Sequence, residues 1–407
     1  MSSENHANWR FRRFAVSNLC AQSAEQIGLA AAPILAVYLF RATPSQTALL
    51  QMVQSLPFLL LAIPAGVLAD RVSRRRMVLG SELVRASAFG VILLLMEARA
   101  LDLITLGTLG FIGAAGTVAY SVTLPGVTPL LVARDRLPTA NSRLELARSI
   151  AVTAGPSIAG LLFNALGGEP TYAIAMVLSM TAIGLVATVP LHRPGQMPRR
   201  HLVRELREGF RFTFTNPHLR PVLFTAVAFN ASWFMLQASF VPYAQQTLGL
   251  SAAGVGTAMS VYGTGMVFGA LLTPFLANRL YFGTLVLVGP IGGFIGACFM
   301  TASVWISATP LVWCGFFFFG AGPVVWAATT ATLRQAVTPD SLIGRVSAVI
   351  TTFTFGARPI GALAAAIVAA KWGTSTCILA ASAGFTVQLL IILSSRLRVL
   401  AGIPVTD

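Results

Sequence analysis

The sequence predicts an all-α membrane protein of twelve transmembrane helices. Three observations carry that expectation: composition, the length and recurrence of the apolar runs, and the side on which the basic residues fall. Over 407 residues, 56% are apolar and only 10% charged, with a mean hydropathy of +0.76. A soluble domain carries about 25% charged residues. Runs of about 20 apolar residues, enough to cross a hydrocarbon core of about 30 Å as a helix, recur along the whole chain.

The first run, 14–40, follows "MSSENHANWRFRRFAV". It has a basic flank, but it is longer than the core of a signal peptide and lacks a small-residue cleavage site, so it reads as a retained span. Spans 47–69 and 77–97 flank the charged stretch "GVLADRVSRRR", and spans 103–125, 143–166 and 171–190 complete the first half. Spans 220–243, 253–277, 284–304, 308–332, 345–369 and 374–395 form the second half, mostly joined by short connections. Lipid offers no partner to unpaired backbone groups, and no stretch alternates with the ten-residue period of an outer-membrane barrel, so a helical bundle follows.

Charge sets the expected orientation. With the N-terminus in the cytoplasm, 22 of the 28 Lys and Arg residues fall in cytoplasmic segments. Three (Arg41, Arg99, Lys371) lie in the opposite loops and three (Arg85, Arg148, Arg358) inside spans. This positive-inside asymmetry puts both termini in the cytoplasm and accounts for the net charge of +15 without a nucleic-acid partner. The four cysteines (Cys20, Cys298, Cys314, Cys377) lie within spans without CxxC spacing, so neither a metal site nor a disulfide framework is expected.

Residues 191–219, "LHRPGQMPRRHLVRELREGFRFTFTNPHL", are the one long polar connection. Leu202, Leu206, Phe210 and Phe214 recur every four residues, opposite Arg204, Arg207 and Arg211, which predicts an amphipathic helix. It tethers two halves, and its arginines are able to meet anionic headgroups. The expected organisation is therefore a bundle over 1–190, a cytoplasmic linker over 191–219 and a second bundle over 220–407. The halves look like copies. "LADRV" at 68–72 answers "LANRL" at 276–280, "RDRLPTAN" at 134–141 answers "PDSLIGRV" at 339–346, and Pro156 of "AGPSIAG" answers Pro359 of "ARPIGA", at offsets of 203 to 208. A duplication of six helices is a transporter plan, with the substrate site between the halves near the midplane.

"GVLADRVSRRRMVL" resembles the loop signature of the major facilitator superfamily between its second and third helices. Gly66, Leu68, Asp70, Arg71, Arg74 and Arg75 match, and Ser73 stands where the family usually has Gly. The resemblance spans essentially the whole chain and is closest to the bacterial branch of enterobactin and macrolide exporters, through "RRRMVLGSELVRA", "LPTANSRLELARSIAVTAGPSIAGLL" and "LVRELREGFRFTFTNPHLRPVL". It implies two pseudo-symmetric six-helix bundles, a bacterial cytoplasmic (inner) membrane location, a monomer among lipids, and no cofactor beyond a proton gradient. The loop itself reads as a conformational latch. Gly66 permits close helix approach, and Asp70 reaches the helix N-terminus at "TPDSLIGR", with Arg71 and Arg74 beside it.

Candidate site residues are the polar groups stranded inside spans. Glu82 and Arg85, and likewise Glu145 and Arg148, stand three apart and read as intramembrane ion pairs. Glu25, near the centre of the first span, has Gly28 and Leu29 as its helical neighbours and no cation among them, which makes it the candidate for proton coupling. Gln22 and Gln26 accompany it, and the equivalent depth of span 7 carries Asn230, Trp233 and Gln237, so these five are expected to line a substrate cavity. Arg358, in span 11, joins them either by attracting an anionic group or by meeting a carboxylate.

Other classes fail on specific grounds. No GxxxxGK[ST] loop exists in a chain whose only lysine is Lys371, and the glycine-rich "GVGTAMSVYGTG" is intramembrane with no strand before it. All four histidines lie in polar segments, so an intramembrane hydrolase is not expected. A secondary transporter remains: a proton-coupled exporter of a small amphiphilic molecule, drug or siderophore-like, working by alternating access. The alternatives are a proton-coupled importer of a small polar solute and a lipid transporter.

Overall fold

Ser73 and Asp102 illustrate how the helices begin. Ser73, extended at φ −60° and ψ 134°, accepts the Arg76 backbone N–H at 3.4 Å and opens α4 (Arg74–Glu97). Asp102 accepts the Thr105 N–H at 2.7 Å and opens α5 (Leu103–Leu131). Each supplies the side-chain oxygen that the first turn of a helix lacks. Asp102 is fully exposed, and these hydrogen bonds to Thr105 hold its carboxyl below the usual carboxylate range.

The computed structural model describes residues 2–132, 137–190, 202–339 and 342–402, without the side chains of residues 2–8, 63, 67, 70, 71, 137–139, 141, 142 and 202–206. Everything regular among them is helical. Before α4 come α1 (Ser2–Tyr38), α2 (Pro44–Leu60) and α3 (Ala62–Arg71). After α5 follow α6 (Leu137–Leu166), α7 (Gly168–Ala187), α8 (Leu202–Thr215), α9 (Leu219–Gln246), α10 (Ala252–Ala277), α11 (Phe282–Ile306), α12 (Thr309–Val337) and α13 (Ile343–Leu393). Among the described residues nine helices are long and apolar enough to cross a membrane, so the chain is an all-α, multi-pass membrane protein.

Two elements depart from simple spans for reasons visible in the backbone. The second apolar run is two helices broken at Leu61, because Pro64 removes the N–H that would bond the Leu60 carbonyl and its ring crowds that turn. The last two runs follow one another within α13, where Gly373, at φ 81° and ψ 177°, reverses the chain between two helices. The connection expected around Lys371 thus shrinks to one residue, and glycine is what adopts that φ without strain. Lys371 itself sits 5.7 Å from the Trp372 ring.

The chain forms two compact units. The first comprises Met1–Ala42, Val53–Pro198 and Leu250–Ser260; the second comprises Thr43–Met52, Arg199–Gly249 and Val261–Asp407. In the first, α1 packs on α6 and α7, and α4 packs on α5 and α7. Phe14, Val78, Tyr120, Val127 and Leu144 meet in its core. In the second, α9 and α11 both pack on α13, and α11 also lies along α12. Small residues permit this closeness: a Cβ on Gly320 of α12 would collide with the Tyr262 carbonyl of α10.

The linker helix α8 sets its aromatic residues against the second unit's own helix α13. Phe210 and Phe214 stack at 4.2 Å and pack on Phe353 of α13 at 6.0 and 5.6 Å. Thr213 is buried, Glu208 pairs with Arg345, and Arg207 and Arg211 remain exposed. Phe210 and Phe353 keep 43% and 40% exposure, so ring stacking orders this face without burying it. Leu202, Leu206 and Arg204 lie outside the described side chains.

Candidate functional site

The first unit buries a full charge. Arg85 of α4 is 1% exposed. Its Nη1 donates to Glu82 Oε1 at 2.8 Å and to the Ala21 carbonyl of α1 at 3.0 Å, and its Nη2 donates to Thr117 Oγ1 of α5 at 3.0 Å. The same Nη2 lies 3.8 Å from Glu25 Oε2 of α1. A guanidinium has five donors in a fixed fork, which suits it to tie three helices at once. Glu82 is 1% exposed and Glu25 retains 15%, so one carboxylate is sealed and the other faces open space.

That finding supplies Glu25 with a cation from outside its own helix. Its own helix offers none, but Arg85 arrives from α4, which sequence spacing along α1 does not reveal. The Glu82–Arg85 spacing forms a buried pair at 2.8 Å. Glu145 and Arg148 also meet, at 3.1 Å, but on the exposed surface of α6.

Open space beside the cluster forms a cleft within the first unit, between α1, α2, α4, α5 and α7, of about 540 Å³ with the open space at its mouth included. Glu25, Arg85 and Thr117 stand at one end, and Leu29, Phe58, Phe89, Ile92, Leu106 and Leu109 make apolar walls. Gln54, Tyr172 and Thr117 were not among the expected site residues, although Gln54, an amide inside an apolar run, was visible in sequence. Gln54 and Tyr172 are buried, and Gln54 Oε1, Tyr172 Oη and Arg85 Nε have no hydrogen-bond partner among the described residues.

The other expected residues scatter. Gln22 and Gln26 are half-buried on α1 and do not line the cleft; Gln26 lies against Gly155 of α6. Trp233, expected at a polar cavity, is core instead: it stacks on Tyr262 at 4.6 Å and meets Phe319 at 5.5 Å and Phe316 at 5.8 Å. A large ring among apolar neighbours gains more from packing than from facing water. Gln237 is half-buried on α9. Arg358 of α13 donates through Nε to Asn230 Oδ1 at 3.3 Å, and its guanidinium lies 4.0 Å from the Phe355 ring and 5.1 Å from that of Phe234.

The latch residues divide. The side chains of Asp70 and Arg71 lie outside the described residues, as do Asp340 and Ser341 of "TPDSLIGR". A Cβ on Gly66 would meet no described atom within 4 Å. The Arg74 guanidinium lies against Gly126 of α5, and Arg75 Nη2 donates to the Ala187 carbonyl at 2.5 Å, so both brace helix ends of their own unit. Among the described residues no three His, Cys, Asp or Glu side chains cluster to hold a metal ion.

Comparison with known proteins gives these observations a family. Residues 7–404 match the model of the major facilitator family described as "Transmembrane secretion effector". Among curated relatives, the enterobactin exporter EntS of Escherichia coli O1:K1 is 28% identical over 305 residues, covering 73% of this chain and 70% of that one. The enterobactin exporter EntS of Shigella boydii serotype 18 matches over the same length and identity. Among solved structures, the nucleoside transporter NupG superposes with a TM-score of 0.74 at 12% identity, covering 95% of this chain and 98% of that one. A bacterial homologue of the iron transporter ferroportin, in an inward-facing state, gives 0.73 at 15% identity over 94% and 98%. These structural likenesses establish the fold. The chain belongs to the transmembrane secretion effector family of the major facilitator superfamily, and is a secondary transporter rather than an enzyme.

Proposed function

We propose that the protein is a proton-coupled exporter of a small amphiphilic molecule, in which Glu25 takes and releases the proton and Arg85 and Glu82 hold it in register. The observation that carries this reading is the sharing of one buried guanidinium by two carboxylates of unequal exposure. One proton on the more open carboxylate leaves the cluster neutral. Its loss leaves a charge whose attraction to Arg85 competes with water and with cargo, so occupancy of Glu25 and occupancy of the cavity are linked. Export is supported by the likeness to EntS, named as an exporter. The second unit contributes Asn230 and Arg358, and after Arg220 its sequence holds no acidic residue but Asp340 and Asp407. Twelve crossings with both termini cytoplasmic, and Asp70 as a latch, belong to the same reading.

Proteoliposomes with an imposed pH gradient test it. Glu25→Gln mimics the protonated carboxyl, so exchange of cargo without a gradient survives while gradient-driven accumulation is lost. Undiminished, pH-dependent accumulation by Glu25→Gln overturns the assignment and leaves Glu25 a structural residue.

A further inference from the structure

The cleft of the first unit is longer than the charged cluster needs. It follows α1 from Glu25 to Ala32 and α4 from Arg85 to Ile92, roughly two helical turns each, and α5 from Thr117 to Leu106, roughly three. All three helices put the polar residue at the same end. The result is an elongated apolar slot with a charged floor, open along one side, whose width suits a slender guest rather than a bulky one.

Charge identifies what the floor accepts. The charged side chains lining the slot are Glu25 and Arg85. The guanidinium is engaged by Glu82 at 2.8 Å, closer than its 3.8 Å approach to Glu25, and by the Ala21 carbonyl and Thr117. The floor therefore presents a carboxylate more than a guanidinium. Higher on the wall, the buried Gln54 Oε1, an acceptor, and Tyr172 Oη stand without partners among the described residues. A carboxylate on the floor and an unmet acceptor higher on the wall together favour a positively charged or hydrogen-donating guest and disfavour an anion.

We propose that this slot inside the first unit is a binding site for a slender lipophilic cation, its charge at Glu25 and its apolar body along Phe89, Ile92, Leu106 and Leu109. Binding stands independently of transport; only the role of such a cation as cargo rests on the export reading above.

The test uses the full chain in nanodiscs of zwitterionic lipid, at one pH and with no gradient. Cys20, Cys298, Cys314 and Cys377 are replaced by alanine and Leu109→Cys is introduced, so that maleimide labelling reports on the slot wall. Hexylpyridinium protects Leu109→Cys at concentrations at least tenfold below those needed by the size-matched anion 4-pentylbenzoate. Gly113→Leu, which fills the slot from a position where an added Cβ meets only Ala88 at 3.8 Å, weakens protection by hexylpyridinium at least tenfold. Glu25→Gln abolishes the preference of cation over anion. Equal protection by cation and anion, or protection by neither, overturns the proposal, as does unchanged binding in a folded Gly113→Leu protein. Because no gradient is present, failure here leaves the coupling role of Glu25 standing, and failure of gradient-driven accumulation leaves the slot standing.

Discussion

Glu82–Arg85 in α4 and Glu145–Arg148 in α6 have the same residue types in the same order at the same spacing, and they do different things. The first pair is 1% and 2% exposed, the second 60% and 46%. In sequence they are equivalent, since both are helical i,i+3 pairs in otherwise apolar runs. What separates them is the face of the helix on which they fall. The α4 pair points into the seam with α1 and α5, where Ala21, Thr117 and Glu25 supply the remaining partners. The α6 pair meets only itself among the described residues. An ion pair becomes a functional element when the fold denies it solvent and surrounds it with further polar groups, because an incomplete set of partners is then costly.

That comparison is broken or sharpened by removing one charge at a time. The largest effect is expected from Arg85→Met. Two carboxylates lose their guanidinium in a closed site, and removal of one partner from a buried pair costs about 3–5 kcal/mol. Much less monodisperse protein and a clearly lower Tm in detergent are the readouts. A variant as stable as the parent means that the cluster is solvated.

Next is Gly373→Ala, since φ 81° with ψ 177° is a conformation essentially reserved for glycine, costing another residue about 1–3 kcal/mol, and the turn between two helices depends on it. Arg358→Met follows and takes the guanidinium away from the Phe355 and Phe234 rings and from the Asn230 amide. Cation–π contacts of this kind are worth about 0.5–2 kcal/mol. A smaller Tm fall than that of Arg85→Met is expected, and parity between the two would mean that the shared guanidinium of the α4 cluster carries no special weight. Arg148→Met is the smallest: an exposed pair contributes about 0–1 kcal/mol after solvent screening. If its Tm fell as far as that of Arg85→Met, exposure would not be the variable that matters.

Orientation is tested separately by labelling. A cysteine at Thr43 reacts with an impermeant thiol reagent added outside and one at Gly195 does not; reversed labelling inverts the proposed topology.

Much of this protein was written in one dimension. Apolar runs of membrane length, arginines gathered on alternate connections and the charged stretch after the second run sufficed for the fold class and for the family, because lipid constrains length and charge locally. The glycine at 373 and the proline at 64 could be seen in sequence, but their outcomes, a one-residue reversal and a broken span, depend on backbone torsions that only the folded chain assumes. Individual site residues were legible as intramembrane polar groups. Their partners were not. Glu25 seemed to lack a cation because helical spacing relates a residue only to its own helix, whereas Arg85 reaches it from 60 positions later in the chain. Trp233 looked like a cavity residue because depth can be counted along a helix, while the face it presents depends on which helices pack beside it. Tertiary structure alone decided which of two identical Glu–Arg pairs was buried, which polar groups converged on one slot, and that the linker's aromatic residues met Phe353. The physical reason is common to all three. Hydropathy is a property of each residue, but desolvation is a property of its neighbours.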